Sequence, residues 1–253
     1  MIADVKLSEF PEIMDLLKIL EENGLFKQVD EVSTLVHYVE HMEDKLSEMS
    51  TELRDMHDEV TKIRDSSIKA KCTALMATAE ERFNQVKHVV TTCKNNLLIS
   101  VRSAITAFRE KGKDALVSAV TAMRIPSALD AMKNAFSKAA ESMRGNAEKL
   151  DTFREELHEV GFHLKNVGRA LLGKPVKESE AMKHDKGILA KVRIFMQKTA
   201  DRYEDMGKGA EKLSTKVKER YEKQKSVKSE LKSIRKAQKS EMVKRVPMNE
   251  KVL

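Results

Sequence analysis

Apolar residues recur at alternating steps of three and four along one stretch of the chain: Val32, Leu35, Val39, Met42, Leu46, Met49, Leu53, Met56, Val60 and Ile63. Steps of this kind keep one face of a helix apolar for turn after turn, which is the seam of a left-handed coiled coil or a long helical hairpin. The pattern predicts a helix from about Lys27 to Arg64, with a bend or break at Asp65, Ser66 and Ser67, where the spacing jumps from Ile63 to Ile68. Before it, Ser8 is the expected cap of a short helix whose stripe is Ile13, Leu16, Leu17 and Leu20, and Asn23-Gly24 supplies a left-handed stop.

The stripe resumes at Ile68 and continues through Cys72, Leu75, Ala79, Phe83, Val86, Val90, Cys93, Leu97, Val101, Ala104 and Phe108. Gly112 interrupts or ends that helix, and Ala115 to Met123 forms a short further piece. Pro126 suits the first turn of the next helix. There, Leu129, Met132, Phe136, Ala139 and Met143 give one seam, and Leu150, Phe153, Leu157, Val160, Leu164, Val167 and Leu171 give another. Gly161 and Gly168 open a narrow groove that a neighbouring helix is expected to enter. Gly173 and Pro175 stop the helix. A last stripe runs from Ile188 to Tyr221, beyond which apolar positions thin out among lysines.

The expected fold is therefore all-α: long antiparallel helices or coiled-coil-like hairpins in an extended bundle, with a basic C-terminal tail. The expected segments are an acidic helical hairpin at 1–64, a central long-helix bundle at 65–173, a linker at 174–186, a C-terminal helix at 187–221 and the tail at 222–253. Composition agrees. Aromatics make up 4% of the chain and tryptophan is absent, so thin layers of Ala, Leu, Val and Met are favoured over a thick globular core. With 9 Gly and 4 Pro in 253 residues, turn chemistry is too sparse for many short strands.

Charge changes the picture more than the net +7 suggests. Residues 1–65 hold 7 Lys or Arg against 17 Asp or Glu, whereas residues 216–245 hold 12 against 4. An acidic head and a basic tail result. Lys225, Lys228, Lys232, Arg235, Lys236 and Lys239 fall within a broad arc if that segment is helical, an arrangement that can follow phosphates or dock on the acidic head. Nucleic acid is one partner expected from this, through residues 216–245; sequence-specific reading is not, since no base-reading module accompanies the lysines.

Chemistry is sparse. HYVEH at 37–41 matches the spacing of a zinc-binding helix, yet Val39 and Met42 belong to the seam, which turns His37 and His41 to the outside. GRALLGKP at 168–175 imitates a phosphate loop until Pro175, which lacks both hydroxyl and N–H, and a helix end explains it better. Cys72 and Cys93 are too far apart along one helix to bond within the chain. No catalytic, cofactor-binding or metal-ligating set emerges, and an enzyme is not expected. The start of the sequence lacks a basic stretch followed by an apolar core, and no run is long enough for a bilayer span, so a cytoplasmic protein without membrane contact is expected.

The segments EIMDLLKILEENG, LVHYVEHMEDKLSEM, AFREKGKDAL and above all GFHLKNVGRALLGK resemble an uncharacterised all-helical family, a domain of unknown function encoded on conjugative and integrative elements of gut Firmicutes. The resemblance spans residues 10 to about 175. It implies no activity and supplies no functional residues. It implies a setting: an accessory protein of a mobile element, helping transfer or opposing host defence. The expected function is accordingly non-enzymatic, exerted by self-association or by binding a protein partner, with nucleic-acid binding through the basic tail as the alternative.

Overall fold

The computed structural model describes residues 6–177 and 187–244, with side chains described up to residue 222 and again at Ser233 and Ile234. Among these residues there are helices and no strands. A 3-10 turn at Leu7–Glu9 leads into α1 (Pro11–Glu22), α2 (Phe26–Thr61), α3 (Ser66–Lys111), α4 (Lys113–Ala122), α5 (Ile125–Leu171) and α6 (Ile188–Lys244).

The boundaries follow backbone chemistry. Gly24 adopts φ +69° after α1, and the Leu25 N–H closes on the Leu20 carbonyl at 2.8 Å, satisfying an end that the helix leaves open. Asp65 caps α3, its carboxylate accepting from the N–H groups of Ser67 and Ile68 at 2.9 and 3.0 Å. Ser8 does not cap α1. It lies in the 3-10 turn, its N–H donates to Glu40 Oε1 at 2.6 Å, and Phe10 occupies the cap position without a side-chain bond. Pro11 already presets the first turn there, and the Ile13 N–H that a cap side chain could receive donates to the Phe10 carbonyl at 3.0 Å.

Four long helices run up and down. Glu43 of α2 meets Lys94 of α3 at 2.8 Å, which fixes an antiparallel hairpin. On α6, Arg220 pairs with Asp30, Arg202 with Glu52 and Lys191 with Glu59, so residue numbers fall along α6 as they rise along α2. The α5–α6 pair follows the same rule through Asp130–Lys218, Arg144–Glu204 and Asp151–Arg193. One core joins all of them. Leu16 and Leu20 of α1, Val32 and Val39 of α2, Cys72 and Val101 of α3, Leu116 of α4, Phe136 and Met143 of α5, and Tyr203 and Ala210 of α6 belong to a single buried cluster.

Seven positions of the α2 seam are buried, while Leu53, Met56 and Ile63 are half-buried against the same cluster. The boundary expected at 221 is not a helix end, since α6 continues to Lys244. The second seam of α5 departs from expectation. Leu150 is buried, but Val160, Leu164, Val167 and Leu171 are 56%, 68%, 56% and 83% exposed. A Cβ built on Gly161 or Gly168 meets nothing within 4 Å, so no described helix enters that groove. The reason is length. In the register that sets Asp151 against Arg193, α6 begins opposite roughly residue 156 of α5. Lys71 lies 5.5 Å from the Phe153 ring centroid, so α3, which starts at Ser66, begins opposite roughly residue 158. Past that level α5 continues for about four turns, or ~20 Å, with no other helix beside it among the described residues.

Candidate interaction surfaces

The α2 seam is the interior of the bundle rather than a surface. Met42 and Met49 are 2% and 3% exposed, so the methionine row is spent on α2's own neighbours. His37 and His41 stand outside, as their offset from the seam requires. Glu40 is already engaged: it accepts from the Ser8 N–H, and His37 Nδ1 lies 3.3 Å from its other oxygen. Among the described residues, no three His, Cys, Asp or Glu side chains gather closely enough to hold a metal ion. Cys72 and Cys93 are both buried free thiols, and burial pushes Cys93 up to about 11, which makes it a poor nucleophile and keeps it from a second chain.

GRALLGKP is a helix terminus. Gly173 takes φ +67°, the Lys174 N–H reaches back to the Arg169 carbonyl at 2.9 Å, and the chain then folds onto α5. There Arg169 Nε donates to the Pro175 carbonyl at 2.8 Å, while Asn166 and the Lys177 backbone exchange two bonds of 3.1 Å. This return covers the side of α5 that carries Asn166 and Arg169. At 100° per residue, Val160, Leu164 and Leu171 lie on the opposite side and remain open, while Val167 borders the hollow that Val176 and Lys177 line.

Much of the acidic head is met internally. Besides the ion pairs that α2 makes with α3 and α6, Arg102 of α3 holds Glu12 of α1 at 2.8 Å. Glu31 is buried, accepts from the Tyr221 hydroxyl at 3.0 Å, and is raised by that burial. These pairs orient helices more than they stabilise them, at roughly 0–1 kcal/mol each for exposed ones. The six tail cations Lys225, Lys228, Lys232, Arg235, Lys236 and Lys239 have side chains outside the described residues; their backbone belongs to α6.

Acid should loosen the α5–α6 pair. Glu204 is held down to about 2 by hydrogen bonds from Lys208 and Arg144, against an ordinary 4.5. A carboxyl with a lower value in the fold than in the unfolded chain contributes fully above 4.5, and that contribution drains away as pH falls toward 2. Melting temperature followed by circular dichroism should fall across this window, and Glu204→Gln should make the fall shallower. An unchanged slope in the variant would remove Glu204 from the account.

Sequence reasoning missed Tyr38 and its partner surface. The Tyr38 ring is buried, and its hydroxyl donates to the Met206 carbonyl at 2.6 Å. A Cβ on Gly209 would stand 3.3 Å from Tyr38 Cε2, so glycine admits the ring. The signal was visible as GKG at 207–209 inside a helical stripe, where each glycine costs about 1 kcal/mol against alanine and calls for a packing reason.

A groove of ≈ 450 Å³ runs between α3 and the α4–α5 corner, lined by Leu35, Val89, Cys93, Leu97 and Met123 with His88 and Arg124. It holds no nucleophile paired with a base. No helix among the described residues is long and apolar enough to cross a membrane. No curated protein and no solved structure matches the chain. A family described as a family of unknown function (DUF6674) matches residues 9–252, which takes in the α1–α5 segments and the whole of α6, and the chain belongs to that family.

Proposed function

We propose that this protein is a non-enzymatic helical association protein, acting through helix surfaces on itself or on a protein partner. The observation that supports it most is the projecting end of α5, where an apolar stripe continues beyond the reach of every other described helix. Apolar surface gathered on one helical face is the usual currency of helix-in-groove and helix–helix recognition, worth roughly 25 cal/mol per Å² covered. The setting implied by the resemblance, an accessory role in a mobile element in the cytoplasm, belongs to the same proposal.

A second reading has one observation in its favour. In the register of Asp30 with Arg220, α6 passes the start of α2 near residue 224 and stays helical to Lys244, so the lysine-rich segment projects from the other end of the bundle. A basic helix clear of the body can lie along a phosphate backbone. Affinity purification of the full chain from native cells, with and without nuclease, separates the two. Co-purifying proteins that survive nuclease are expected. Recovery of nucleic acid alone, lost on nuclease treatment, would reverse the order of the readings.

A further inference from the structure

We infer that the groove between α3 and the start of α5 binds a single-chain amphiphile, an aliphatic chain carrying a carboxylate head. The groove offers ≈ 450 Å³, the size of a small-molecule site. Its floor is apolar: Leu35, Cys93 and Leu97 are buried, and Val89 and Met123 are half-buried beside them. Its edges are polar. Thr92, Asn96 and Ser100 follow one another at about one turn along α3, and Arg124 and Ser127 border the other side. An apolar floor with polar edges suits a ligand that is itself part chain and part head.

Charge fixes the sign of the head. Arg124 and His88 line the groove, and no Asp or Glu does. The hollow that continues it along α5, sharing Val89 and Ala131, carries Arg82 and Lys138 and again no acid. There the Arg82 Nε is buried without an acceptor among the described residues. The hollow between α2 and α3 is of another kind: Lys6, Lys87 and Lys94 are matched there by Glu40, Glu43 and Asp44, and Lys94 already pairs with Glu43. An anion is thus drawn to the α3–α5 side, where carboxylates of the protein do not compete for the cations.

The head sits at Arg124. This residue holds φ 48° and ψ 46°, a left-handed conformation that residues with a Cβ rarely adopt, and strain of this kind persists at sites where the side chain it places has a use. Residue numbers fall along α5 as they rise along α3, from Lys71 beside Phe153 to Val89 and Ala131 on one hollow, so Arg124 stands level with roughly Leu97 and Ser100. From there the chain runs past Met123, Leu97 and Cys93 toward Val89 and Ala131, over ~15 Å of groove.

Isothermal titration of the full chain with dodecanoate should give one saturable site, with Kd on the order of 0.1 mM. Dodecyltrimethylammonium, the same chain under a positive head, should bind at least tenfold more weakly. Arg124→Gly should narrow that gap to less than about threefold without lowering the melting temperature, because glycine takes this conformation freely. Arg124→Lys should keep the gap. Ala131→Phe, at an exposed position on the far end of the groove, should weaken dodecanoate about tenfold with the helical content unchanged.

Equal affinities for the two heads would overturn the anionic head. Dodecanoate binding that is unchanged in Ala131→Phe would overturn the groove as its place. Binding to phosphatidylglycerol vesicles that Ala131→Phe abolishes, with none of free dodecanoate, would assign the groove to bilayer lipid and overturn the free carboxylate as its ligand. Absence of binding to both would overturn the site, and would leave the association reading untouched.

Discussion

Phe136→Ala should lower the unfolding free energy by about 3–5 kcal/mol, a large share of the ~5–15 kcal/mol typical of a folded domain. Phe136 is fully buried on α5, and its ring stacks on Tyr203 of α6 with centroids 6.5 Å apart and planes 20° apart. Its Cβ also lies 3.6 Å from the point where a side chain on Gly207 would begin, so α6 comes close to α5 along this level. Removing the ring leaves a void between two helices that are kept apart by the buried side chains on the same seam, Met132 and Met143, which limits collapse into the space. Urea denaturation followed by circular dichroism measures the loss. A change below about 1 kcal/mol would mean that the helices close over the void, and that the α5–α6 seam is softer than its burial indicates.

The seam around Phe136 and the one on α2 were legible because a helix repeats nearly every seven residues, so the apolar stripe names the buried face. Helix ends were legible wherever the backbone needs a special residue, as at Gly24, Gly112 and Gly173, each with positive φ. Periodicity does not say whether a neighbour is long enough to reach the stripe. Leu150 and Leu164 belong to one pattern in the sequence, yet the first is buried and the second is open, because α3 and α6 start near the level of residues 156–158. That difference lies in loop placement and register, which involve residues far apart in the chain. The same holds for Glu31, buried against Tyr221 across 190 positions.

The acidic head and basic tail show how a charge imbalance in sequence divides between folding and surface. Asp30, Glu52 and Glu59 are taken up by cations of α6, which makes part of the imbalance an alignment device for an antiparallel pair. Each such pair is weak, but wrong registers would set like charges together, and avoiding that costs little when the core already fixes the helices.

Gly112→Ala should destabilise the chain by about 1–3 kcal/mol, although the new methyl group would have open space around it. The loss comes from the backbone. Gly112 holds φ +77° and ψ −161°, a conformation essentially confined to glycine, while its N–H closes α3 on the Phe108 carbonyl at 2.8 Å and its carbonyl receives the Leu116 N–H at 3.2 Å to open α4. Any other residue must either bear that strain or shift the angle between α3 and α4, and α4 carries Leu116 and Val120 into the core before the chain turns into α5. Gly145→Ala is the matched control. It also adds a methyl group with nothing within 4 Å, but from the middle of α5 and without positive φ, so it should stabilise by about 0.5–1 kcal/mol. Opposite signs from two equally uncrowded glycines would show that conformation, not space, fixes the α3–α4 corner. A neutral Gly112→Ala would mean that the corner relaxes freely, and that α4 docks on α3 without needing that geometry.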